Sequence, residues 1–271
     1  MDETVDGYVV EVGGAELQCQ SVGAGPTLVW AHALTSSMEH EDRAPIFDWS
    51  GLARRQHRWV RYDARGHGRS GADDNGSHLE WPHLARDMVA VADGSDVDRF
   101  AAGGASMGCA TALWCAHMAP ERVDKLVLAL PPTAWDSRRL QAAGYQLAGL
   151  AARLRLTLPL HLSHRFLPKG PSPATRSGYL RSTTVSMAAM APPQVAAALG
   201  GAAASDLPPS ESLELIGMPA LILAWPGDRS HPVGVAQMLA ETLGDATLDI
   251  AEDDDAISRW PDLVVDFLAS G

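Results

Sequence analysis

The chain opens on two short apolar-rich runs, Tyr8 to Val12 and Ala15 to Val22, separated by Gly13-Gly14. Glycine supplies the positive φ that a tight turn needs, so the pattern predicts a β-hairpin, ended by Gly23 to Pro26. Thr27-Leu28-Val29-Trp30-Ala31 is apolar almost throughout, as expected of a strand covered on both faces. Trp59 to Tyr62 predicts a strand that ends at Asp63, and Leu79 to Ala92 a helix with Leu84, Met88 and Val91 on one side. Phe100 to Ala102 predicts a strand leading into Gly103-Gly104, followed by a helix from Ser106 to Met118. Lys125 to Leu130 is another strand, halted by Pro131-Pro132. Pro219 to Trp225, Val233 to Leu243, Ala246 to Ile250 and Ile257 to Leu268 continue as strand, helix, strand, helix. Such alternation predicts the α/β class: a mostly parallel sheet with helices on both faces.

Residues 137–209 break the rhythm, with helical patterns, no convincing strand and six prolines from Pro159 to Pro193. The expected organisation is an α/β core in two parts, 1–136 and 210–271, with 137–209 inserted as a helical lid. A lid there covers the strand ends, where ligands bind in open α/β sheets. Leu158, Leu160, Leu162, Phe166 and Met187 predict an apolar pocket beneath it.

Composition removes several function classes. Among 271 residues, 46% are hydrophobic and 20% charged, ordinary values for a globular protein. The formal net charge is -12 and the arginines are scattered, which argues against a phosphate-binding track and so against nucleic acid as a partner. Cys19, Cys109 and Cys115 show no CxxC or Cys/His spacing, so free thiols in a reducing cytoplasm are expected, with no metal site. The acidic opening lacks the features of a signal segment, and no apolar run is long enough for a bilayer span. The acidic run Glu252 to Asp255 reads as a solvated loop. A small-molecule substrate is the partner this leaves, with no cofactor expected and oligomerisation left open.

Chemistry concentrates at Gly104-Ala105-Ser106-Met107-Gly108, a G-x-S-x-G pattern placed after a strand and before a helix. A serine there sits on a sharp turn that exposes its hydroxyl at the top of the sheet. Three further motifs stand in order around it: Trp30-Ala31-His32-Ala33-Leu34, the run Tyr62 to Ser70, and Gly227-Asp228-Arg229-Ser230-His231-Pro232. With these four motifs the chain resembles the serine-type α/β-hydrolase superfamily over nearly its full length. The resemblance implies Ser106 as nucleophile, Asp228 as the acid that orients a histidine, and the backbone N–H groups of Leu34 and Met107 as the oxyanion hole. Ala33 replaces the family's glycine, which puts a methyl group beside that hole.

The resemblance also implies a histidine after the final strand, about seven residues before a proline. Counting back from Pro261 gives Asp254, and no histidine follows His231. A carboxylate is shorter than an imidazole and cannot bridge acid and serine in the same way. Asp228 is therefore expected near Asp254 with no histidine between acid and serine, and Asp254→His is expected to raise a slow hydrolysis. His161 and His164 in the insertion are the foremost alternative bases. His231 is another, although a histidine before proline is common at its position in the family and normally takes no part in catalysis. His32 and His67 read as braces for their own loops. Three readings follow: hydrolysis of a small apolar ester, thioester or lactone through acyl-Ser106; a non-hydrolytic enzyme that uses the oxyanion hole and pocket; and a small-molecule binding protein that has lost the chemistry. The intact elbow, acid and loop favour an enzyme.

Overall fold

The computed structural model describes residues 5–72, 78–155, 172 and 174–270. Its centre is an eight-stranded sheet in the order β1-β2-β4-β3-β5-β6-β7-β8. The strands are β1 (Asp6–Val12), β2 (Ala15–Gly23), β3 (Thr27–Ala31), β4 (Arg58–Tyr62), β5 (Phe100–Ala105), β6 (Val123–Ala129), β7 (Ala220–Ala224) and β8 (Ala246–Ile250). The Gly13-Gly14 hairpin joins β1 to β2, and both glycines have positive φ. β2 also pairs antiparallel with β4, and every pair from β4 to β8 is parallel.

The central strands β3, β5 and β7 are buried at every position, and their side chains alternate between two cores. Ala220, Ile222 and Ala224 of β7 join a core that also holds side chains of α2 (Trp81–Gly94) and α3 (Met107–Met118). Leu221 and Leu223, with Trp225 just beyond the strand, join an aromatic core on the other face. There Trp225 stacks on Trp260 at 5.6 Å between centroids, and Phe47 lies 6.3 Å from Trp260. The period-two alternation of a strand thus becomes two apolar layers, each closed by helices.

The elements expected from the sequence are present, with local differences. β5 runs on through Gly103-Gly104 and stops one residue before Ser106. A short helix, α1 (Met38–Arg43), follows β3; its six residues are too few to show a helical period. The final helix is preceded by a single turn, Asp254–Ile257, and itself spans Trp260–Ala269. Between β6 and β7, residues 137–209 contribute α4 (Arg138–Arg153) and the helices Arg176–Ala189 and Pro192–Ala203. Leu158, Leu160, Leu162, Phe166, His161 and His164 lie outside the described residues. No helix among the described residues is long and apolar enough to cross a membrane.

One close approach positions everything near Ser106. A Cβ on Gly108 would fall 1.9 Å from the carbonyl oxygen of Ala31, and one on Gly104 would fall 2.3 Å from the Gly108 carbonyl carbon. The start of α3 therefore rests on the end of β3, a contact that only glycines allow. We expect Gly108→Ala to destabilise the fold by at least the ~1–3 kcal/mol typical of overpacking, measured by urea denaturation.

Candidate active site

Ser106 occupies the turn between β5 and α3 with φ +54, a backbone region that L side chains rarely adopt. Its N–H donates to the carbonyl of Ala129 at the end of β6 (2.9 Å), and its carbonyl accepts from Ala110 N–H (3.1 Å). The backbone on both sides of the serine is thereby tied down, and its side chain lines a cavity of about 260 Å3.

The loop after β7 reaches the same cavity. The Ser230 carbonyl accepts from Thr133 N–H at 3.0 Å, which fastens this loop to the segment leaving β6, beside Ser106. Within the loop, Oδ1 of Asp228 accepts from Ser230 N–H at 2.8 Å, a side-chain turn that aspartate forms readily. That turn brings His231 back over Asp228. Its Nδ1 lies 2.8 Å from Asp228 Oδ2 and its Nε2 lies 2.8 Å from Ser106 Oγ. With a carboxylate as partner, Nδ1 carries the proton, leaving Nε2 to accept from the serine hydroxyl.

This geometry overturns the expectation that no histidine stands between Asp228 and Ser106. The histidine is on the acid's own loop, three residues on, rather than after β8. The signal was in the sequence as Asp-x-x-His: the family's usual chain order hid it, although a turn of that length lets the two side chains touch.

Asp254 does not face Ser106. It lines a separate cavity of about 390 Å3, beside Arg176, Trp225 and Asp253. Its Oδ1 accepts from the N–H of Arg176, the first residue of helix Arg176–Ala189, at 3.0 Å. Thr175 Oγ1 accepts from Gly178 N–H in the same first turn (3.1 Å). A carboxylate at a helix start satisfies an otherwise unpartnered amide and complements the helix dipole. The Arg176 guanidinium in turn donates to the carbonyl of Pro226 and lies 5.7 Å from the Trp225 ring, so this helix start is tied to the loop after β7.

Burial opposes ionisation of Asp228, but the His231 imidazole, the Ser230 N–H and the Trp225 indole N–H (3.3 Å) outweigh it. Together they hold this carboxyl well below the usual carboxylate range. His32 and His67 are different. Burial pushes both imidazoles down to about 4, which keeps them neutral. His32 donates from Nδ1 to Ala33 O (2.8 Å) and accepts at Nε2 from Ala64 N–H (2.9 Å). His67 donates to Arg65 O at 2.9 Å.

Leu34 follows the end of β3, and Met107 holds the first position of α3, directly after Ser106. Neither amide donates to a backbone carbonyl among the backbone hydrogen bonds of loops, turns and caps. In the trans Ala33–Leu34 peptide, C=O and N–H point in opposite directions. The hydrogen bonds that Ala33 O accepts from His32 and from Ser36 N–H (3.0 Å) therefore set the direction of the Leu34 N–H. The methyl of Ala33 packs into the aromatic core. Among the described residues, no group of three or more His, Cys, Asp or Glu is arranged to hold a metal ion.

Known proteins share this architecture. An esterase from Exiguobacterium antarcticum is 18% identical, with 98% of this chain and 100% of that one covered and a TM-score of 0.78. A thermophilic esterase from Thermogutta terrifontis is 17% identical, covering 97% and 98%, with a TM-score of 0.78. An enol-lactonase from Burkholderia xenovorans LB400 is 20% identical, covering 97% and 100%, with a TM-score of 0.69. At these identities the likeness is one of fold. No curated protein sequence matches the chain.

The role of Asp254 is open to a direct check. Asp254→Ala should lower stability by ~0.5–2 kcal/mol, as loss of a helix-start acceptor does, with little change in turnover. Asp254→His should bring no gain in turnover, because a histidine there lies outside the Ser106 cavity. Urea denaturation and ester turnover on the purified variants measure both.

The α/β hydrolase fold family matches residues 26–241. With the strand order and the serine turn described above, this shows that the chain belongs to the α/β hydrolase fold family.

Proposed function

We propose that this chain hydrolyses a small, neutral, mainly apolar carboxylic ester, thioester or lactone through an acyl-Ser106 intermediate. The observation that carries the reading is the hydrogen-bond chain from Ser106 Oγ through His231 to Asp228, with both links at 2.8 Å. In the first step Oγ bonds to the substrate carbonyl carbon while its proton passes to His231 Nε2. Asp228 holds the imidazole in the tautomer this needs and stabilises the imidazolium that forms. The negative oxygen of the tetrahedral intermediate is received by the Leu34 and Met107 amides. His231 then gives its proton to the departing alkoxide or thiolate as the bond to the acyl carbon breaks. Water attacks the acyl-serine by the same route, losing its proton to His231, and the acid is released as Ser106 regains its hydrogen.

The cavity supports the substrate class. Leu34, Tyr145, Tyr179, Leu180, Met187 and Leu199 are the large apolar and aromatic residues of its wall, with Gln141, Thr183 and Thr184 among its polar points. Apart from Asp228 and His231, no charged side chain lines it among the described residues. Its volume of about 260 Å3 lies below the ~300–1,000 Å3 of sites for drug-sized ligands, which favours short acyl chains. Residues from helices of the 137–209 segment supply much of this wall, and in this reading they act as its lid.

Turnover of short-chain nitrophenyl esters tests the reading. Ser106→Ala or His231→Ala should cost on the order of 10⁶ in kcat, and Asp228→Asn about 10⁴. A fluorophosphonate should label the wild type and not Ser106→Ala. Hydrolysis that survives His231→Ala would overturn the assignment of the base, and hydrolysis indifferent to Ser106→Ala would overturn the acyl-serine route.

A further inference from the structure

Helix Arg176–Ala189 touches both halves of the site. Its start is tied to the loop after β7 through Arg176, and farther along Ser186 donates its hydroxyl to the carbonyl oxygen of Thr35, next to Leu34. Ser182 reaches across as well, to His40 O at 3.4 Å, but two neighbouring hydroxyls behave differently. Thr183 and Thr184 donate to the carbonyls one turn back, Tyr179 (3.0 Å) and Leu180 (2.9 Å), as serines and threonines within helices commonly do. Ser186 is buried and reaches across to another segment instead.

Its partner sits on a strained turn. Ser36 N–H on Ala33 O (3.0 Å) closes a turn with Leu34 and Thr35 at its centre. Thr35 has φ +58, in the left-handed region that a β-branched residue resists. His32 fixes the near side of this turn through Ala33 O. The far side rests on a residue whose own preference is to leave that conformation, and Ser186 grips the carbonyl there. The Leu34 side chain is held on the same side, packed against a cluster of Ala152, Val195, Ala196 and Leu199.

We propose that Ser186 is a positioning residue for the oxyanion hole: it holds Thr35 in its left-handed conformation and so keeps the Leu34 N–H aimed at the developing oxyanion. The inference rests on the reading of Leu34 as an oxyanion donor. Ser186 touches no reacting atom, so its loss should act on the transition state and leave substrate binding nearly intact.

The test is a double-mutant cycle between Ser186→Ala and Thr35→Gly, read as kcat and KM on a short-chain nitrophenyl ester. In the wild-type background Ser186→Ala should lower kcat about tenfold with KM within about twofold, and weaken a trifluoromethyl ketone inhibitor by a similar factor. Glycine holds φ +58 without help, so in the Thr35→Gly background the same substitution should cost less than about threefold. Ser186→Thr, which keeps the hydroxyl, should retain most of the activity; should Ser186→Ala fail to fold, Ser186→Cys takes its place in the cycle. An equal penalty in both backgrounds, or an unchanged kcat, would overturn the inference while leaving acyl-serine chemistry standing. Hydrolysis unaffected by Ser106→Ala would instead remove the reading beneath it.

Discussion

The contact between the first turn of α3 and the end of β3 sets the geometry of the site. With a Cβ of Gly108 placed 1.9 Å from the Ala31 carbonyl, backbone meets backbone with no side chain between them. That contact puts Met107, at the head of α3, beside the loop that follows Ala31, and this loop carries Leu34. Two segments far apart in sequence are thus brought together by a steric condition. Ser106 itself sits in a turn with φ +54, whose strain is held by its N–H bond to Ala129 O of β6 and by the bond its carbonyl accepts from Ala110 N–H of α3.

A second layer of constraint surrounds this contact. Trp225, stacked on Trp260 in the aromatic core, offers its indole N–H to Asp228. Arg65 and Asp87 form a buried ion pair (2.7 Å), with further Arg65 bonds to the carbonyls of Val12 (3.0 Å) and Gly13 (3.2 Å), so the loop from Asp63 to Ser70 is locked to the first hairpin. Asp63 itself accepts from Met38 N–H (2.7 Å) and Arg69 N–H (2.8 Å), joining that loop to α1. The Ser106 turn and the Asp228 carboxylate are both supported in this way, which is how a fold keeps unfavourable local conformations at a site.

Most of the fold was legible because its signals are local. The Gly13-Gly14 hairpin, the apolar strands and the G-x-S-x-G turn each follow from a few neighbouring residues and the periods of strand and helix. α1 and the turn Asp254–Ile257 were not, since six and four residues are too short to show a period. The site was legible in part. Ser106, Asp228 and Leu34 line one cavity, and Met107 follows Ser106 at the head of α3. The partner of Asp228 was misplaced, because the family's order puts the histidine after the last strand, whereas here a tight side-chain turn at Ser230 folds His231 back onto Asp228. The contact of Ser186 with Thr35 spans 151 positions and no sequence pattern announces it.

Placing Asp228 and His231 on one short loop also changes how the site tolerates motion. When acid and base come from different loops, the distance between them records every shift of one chain segment against the other. Here the two side chains sit three residues apart on one loop and are joined by hydrogen bonds, so only the gap to Ser106 spans separate segments. The chain beyond His231, with β8 and the helix Trp260–Ala269, is left as scaffold. Sequence drift along that edge of the sheet reaches the loop of Asp228 by two routes, the aromatic stack beneath Trp225 and the bond from Asp254 to the Arg176 helix start.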